Sequence, residues 1–176
     1  KALYPHQSTE ADKKGKVDWH TITRKVTMQS FELNLYCHYE KKRENIALYY
    51  VNNSLLYLPA LEKYMGEEFP KDEIILILNE EEDHAYMMSY GVHMAKRHIK
   101  TKFPAVLFHE FCHFYFGGFS SWFVEGVNSF LPAAIMENGL MKKTEDLYNR
   151  IFTTWAFKST KTTYDEPVID ESLRDR

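Results

Sequence analysis

Between Lys102 and Phe116 the chain carries Phe103, Val106, Leu107, Phe108, Phe111, Cys112, Phe114, Tyr115 and Phe116. Placed on a helix, these residues cover every direction around the axis, so the helix has no face to offer water and must be buried. Only His109, Glu110 and His113 are frankly polar between Ala105 and Phe116. Burying such groups without partners costs about 2–7 kcal/mol for each neutral one and more for a charge. The fold therefore has to bring something to these three side chains. Gly117-Gly118 is the expected end of the helix.

His109 and His113 stand at i and i+4, one helical turn apart on one face. Two imidazoles in that relation suit a tetrahedral Zn²⁺. Glu110 is rotated by about 100°, too far to join as a ligand yet close enough to serve a water at the metal. The pattern His-Glu-x-x-His carries that division of labour. Two core histidines held by hydrogen bonds, with Glu110 pairing one of them, is the plainer alternative. For a third ligand the best-placed residue is Glu125, 12 positions after His113 within Trp122-Phe-Val-Glu-Gly126. Its apolar neighbours predict a buried carboxylate, for which an ion pair or a cap is the other use. His84, His93 and His98 are rival ligands, each expected on a polar segment as a solvated or hydrogen-bonded histidine.

Around this segment the periodicity changes twice. From Val17 to Glu40 it is two: Phe31, Leu33, Leu35 and Cys37 alternate with Glu32, Asn34, Tyr36 and His38, which predicts half-buried strands. Ile46, Tyr49, Tyr50, Leu56, Tyr57, Leu61 and Tyr64 recur at three and four and predict a helix over Glu44 to Met65, stopped by Gly66. Glu73 to Leu78 reads as a central strand, and Glu80 to Asp83 as an acidic turn. Ala85 to Ile99 is ambiguous, with Gly91 as a bulge or a point of close approach. Further helices are expected over Ser121 to Met136, carrying Trp122, Phe123, Val127, Phe130 and Leu131, and over Thr144 to Phe157, with Leu147, Ile151, Phe152 and Trp155 inward. Strands, helix, strand, then helices make an α+β domain. It is expected over 17–157, between flexible segments at 1–16 and 158–176.

His109-Glu-Phe-Cys-His-Phe-Tyr-Phe-Gly-Gly118 resembles the active-site helix of aminopeptidase N-type zinc peptidases. Trp122-Phe-Val-Glu-Gly126 is similar to the segment that bears their glutamate ligand. Leu61-Glu-Lys-Tyr-Met-Gly-Glu-Glu-Phe-Pro70, with the strand after it, looks like the entry to their thermolysin-like domain. With 11 residues between His113 and Glu125, against the 18 usual in that family, the chain resembles the wider peptidase-MA-like (gluzincin) domains better. The resemblance implies a thermolysin-like zincin domain, with a small mixed sheet packed on the active-site helix and a helical C-terminal part. It implies one Zn²⁺ per chain on His109, His113 and Glu125, Glu110 as general base, and a peptide or protein substrate.

Met87 to Val92 stands where that family has its amine-gripping signature, but it holds no acid. Endopeptidase rather than aminopeptidase action is therefore expected, with Ser89, Tyr90 and Gly91 lining the cleft on an edge strand that pairs with an extended peptide. Tyr148 and Tyr164 match no motif for the family's catalytic tyrosine. A zinc-binding scaffold or peptide-binding module without turnover is the alternative function. The formal charge of -3, with no strong basic patch, argues against nucleic acid. No apolar run reaches membrane-span length. Cys37 and Cys112 are too few for a disulfide framework. A start at Lys1 leaves the location open between the cytoplasm and export with a leader removed.

Overall fold

A computed structural model describes residues 18–79, 84–102, 104–116 and 121–137. All of them fall within one compact unit, Lys1–Met141. The expected flexible ends, the acidic turn at Glu80 to Asp83, Gly117-Gly118, the helix over Thr144 to Phe157, Tyr148 and Tyr164 lie outside the described residues.

The alternating segment forms two antiparallel strands, β1 (Trp19–Thr27) and β2 (Glu32–Glu40), paired from Trp19↔Glu40 to Thr27↔Glu32. The hairpin closes through the Met28 N–H donating to the Phe31 carbonyl at 3.0 Å. β2 buries Leu33, Leu35, Cys37 and Tyr39 as its period of two demands. His38, on the other face, is buried as well and lies 2.8 Å from the Thr21 hydroxyl.

A short 3₁₀ turn over Lys41–Arg43 leads into α1 (Glu44–Met65). Gly66 ends α1 in the left-handed conformation (φ +70°), its N–H donating to the Glu62 carbonyl at 3.0 Å. The buried face is Ala47, Tyr50, Val51, Ser54, Tyr57, Leu58 and Leu61. Leu56 and Tyr64, expected inward, are exposed. The inward stripe includes small Ala47 and Ser54, so counting large apolar residues misplaced its centre.

β3 (Glu73–Leu78) is parallel to β2 on one side and to β5 (Gly91–Met94) on the other. That central place is why its sequence is a continuous apolar run. β4 (Tyr86–Met88) pairs antiparallel with β5 and gives a five-stranded mixed sheet in the order β1-β2-β3-β5-β4. The ambiguous 85–99 stretch is thus a hairpin followed by α2 (Lys96–Thr101).

α3 (Pro104–Cys112) and α4 (Ser121–Glu137) complete the described helices. α1 packs on β1 and β2, α3 on β4 and β5, and α1 meets α3. At that meeting the Tyr57 ring stacks on Phe108 with centroids 4.0 Å apart. α4 packs mainly on α3. On α4, Val124, Asn128, Leu131 and Ile135 form the buried stripe, whereas Phe123 and Phe130 are exposed.

Candidate metal centre

α3 is shorter than its apolar run predicts. After Cys112 the backbone tightens, with the Phe114 N–H donating to the Phe111 carbonyl and the Tyr115 N–H to that of Cys112. Such i→i−3 bonds are a common way to end an α-helix. His113 therefore sits in the turn just past the last helical residue rather than inside the helix. It still faces His109: the two Nε2 atoms are 3.1 Å apart.

α4 supplies the third group. Glu125 places Oε2 3.1 Å from His109 Nε2 and Oε1 3.6 Å from His113 Nε2. Its side chain is 58% exposed, against 11% for His109 and 19% for His113. The expected burial of Glu125 is therefore corrected: the carboxylate closes the open side of the cluster, facing both rings from the rim. Among the described residues this is the one group of three His, Cys, Asp or Glu ligand atoms lying within 4.8 Å of one another.

Burial lowers the pKa of both imidazoles, at His109 with further help from His113 and against the pull of Glu125. Neutral rings keep a lone pair for a metal. Four ligands about 2.0–2.1 Å from a tetrahedral zinc stand about 3.3 Å from one another. The two imidazole nitrogens, 3.1 Å apart, come close to that spacing, and Glu125 approaches them with different oxygens, Oε2 at 3.1 Å from His109 and Oε1 at 3.6 Å from His113. Two nitrogens and one carboxylate, with access on one side, fit the donor set of a hydrolytic zinc site.

Glu110 stands beside the cluster with Oε2 4.0 Å from His113 Nε2. Burial, then the charge of Glu125, push its pKa up to about 7, against a hydrogen bond from the Met87 backbone. An N–H is the backbone group that favours the charged carboxylate, so Met87 of β4 is the donor.

The rival ligands lie elsewhere. His84 is exposed. His93 is buried in β5, with the Tyr90 hydroxyl 2.9 Å from its Nε2 and the Tyr86 ring stacked on it at 4.6 Å. His98 is buried in α2, its Nε2 accepting from Arg97 Nε at 3.0 Å. Both are hydrogen-bonded as expected, but they sit in the interior rather than on polar segments.

The expected substrate strand is also redrawn. Met87 to Val92 is not one edge strand: Ser89 and Tyr90 form the turn between β4 and β5, and Gly91 opens the inner strand β5. A β-carbon at Gly91 would overlap the Ile75 carbonyl of β3, so close approach is its role. The edge is β4, and its contact with the candidate centre is Met87.

Two further residues were missed by sequence reasoning. The Asn128 backbone favours the protonated form of the His109 ring. Pro132 stands four residues later inside α4. The proline itself was a visible signal, as an interior proline always frees the carbonyl four residues back.

No protein-family model matches the chain, and no curated protein matches its sequence. Among the described residues no helix is long and apolar enough to cross a membrane.

Proposed function

We propose that this chain is a zinc-dependent peptide-bond hydrolase of the peptidase-MA-like kind, with zinc held by His109, His113 and Glu125. The observation that carries this reading is the convergence of one ligand atom from each of His109, His113 and Glu125 within 4.8 Å of one another, beside a buried Glu110. Zinc in such a site lowers the pKa of a water towards ~7 and polarises a carbonyl oxygen. Glu110 takes the proton of the attacking water and passes it to the leaving amine. β4 offers its outer edge to an extended peptide next to Glu110. Since β4 and its turn carry no acid, an endopeptidase fits better than an aminopeptidase.

The test is turnover of a mixed library of free and N-acetylated peptides by zinc-loaded protein, beside Glu110→Gln. Cleavage of acetylated peptides is expected, with a loss of about 10²–10⁴-fold in the variant and unchanged zinc content. Zinc binding with peptide retention but no cleavage would make the chain a binding module. Cleavage confined to free amino termini would reveal an amine anchor and overturn the endopeptidase reading.

A further inference from the structure

His113 lies outside the helix that carries His109. α3 closes at Cys112, and the amides of Phe114 and Tyr115 bond three residues back, so the regular ladder that orients His109 does not reach position 113. A side chain there keeps whatever place the following turn gives it. Both rings of that turn meet Phe69, in the loop between α1 and β3. Phe69 and Phe114 have centroids 5.6 Å apart and planes at 61°, and Phe69 and Tyr115 are 5.5 Å apart at 82°, so each pair packs edge to face. The Tyr115 hydroxyl also donates to the Glu67 carbonyl of the same loop at 3.1 Å.

Phe69 is itself held firmly. Its side chain is buried, and its N–H donates to the buried Glu62 carboxylate at 3.1 Å. Pro70, next in the chain, restricts the backbone of Phe69 to extended conformations. We infer that Phe69 is a positioning residue for His113: by gripping Phe114 and Tyr115 it fixes the turn after α3, and with it the imidazole whose Nε2 faces His109 and Glu125. This rests on the zinc reading for its purpose, while the ring packing does not. The two histidines are then held by different means, His109 by its helix and His113 by a loop that precedes β3. Groups that orient a ligand from behind govern metal affinity without touching the metal.

Phe69→Leu keeps the position apolar and removes the ring that holds Phe114 and Tyr115. Zinc affinity of the full chain, measured by chelator competition, is expected to fall about 10-fold, near the lower end for groups that orient a ligand. In long-range ¹H–¹⁵N spectra of metal-free protein, the His113 ring signals are expected to shift while those of His93 stay in place. Ile22→Ala separates positioning from stability, since Ile22 is buried in β1, at the edge of the sheet opposite β4. That variant is expected to melt lower than the parent with unchanged zinc affinity and His113 signals. Tyr115→Phe removes one hydroxyl from a half-buried side chain and decides the matter if Phe69→Leu does not fold. A smaller loss of affinity with moved His113 signals is expected from it. Parent-like zinc affinity or unmoved His113 signals in the folded variant, or an equal loss of affinity in Ile22→Ala, overturn the inference. If the parent binds no zinc, the zinc reading fails, and the metal-free His113 signals alone decide whether Phe69 orients that ring.

Discussion

The histidines of this chain divide by what holds them. His109 and His113 share a carboxylate, whereas His93 and His98 are kept neutral by burial, with pKa values lowered to about 4. Arg97 and His84 add to the effect at His98. Unfolding returns each ring to a pKa near 6.5, so between pH 6.5 and 4 the unfolded chain binds the more protons. Their contribution is fully present above pH 6.5 and is lost as the pH falls towards 4. The slope is at most about 1.4 kcal/mol per pH unit for each ring. Urea unfolding of chelator-treated protein at pH 7.5, 6.0 and 5.0 is expected to show a midpoint that drops steadily. A constant midpoint would mean that these rings are protonated in the folded chain.

Among the elements, α1 is tied down by its own last turns. The buried carboxylate of Glu62 accepts from the Gln29 N–H at 2.6 Å and from the Phe69 N–H at 3.1 Å. It thereby joins the β1–β2 turn and the loop before β3 to the end of the helix. Glu62→Ala leaves both donors without that partner, and a loss of about 2–5 kcal/mol in unfolding free energy is expected by urea titration. This staple was invisible in the sequence, because the two N–H groups it serves lie 33 residues before and 7 after it. The bounds of α1 and β3 were legible, as each follows from local periodicity and a stop signal. β4 and β5 were not, since strands of three and four residues are too short to show a period. At the candidate centre the His109–Glu110–His113 spacing and Glu125 were legible from residue type. Met87 acts through its backbone, which every residue has, so it could not be singled out.

For the molecule as a whole, the candidate centre joins α3 to α4 and so links segments 109–113 and 125. A ligand that binds only the folded chain stabilises it by about 2.7 kcal/mol at a hundred times its Kd. Zinc is therefore expected to raise the melting temperature, and a chelator to return it to the metal-free value. A melting curve indifferent to both would place the cluster among ordinary hydrogen-bonded groups. The same connectedness runs through the sheet. Gly91 lies against the Ile75 carbonyl, and any side chain there has to push β5 away from β3. β4 hangs on β5 alone, and Glu110 takes its hydrogen bond from β4. In a saturation screen scored by activity, Gly91 would thus behave like a member of the reaction centre while touching none of it: the sheet acts as a lever whose fulcrum tolerates no thickness.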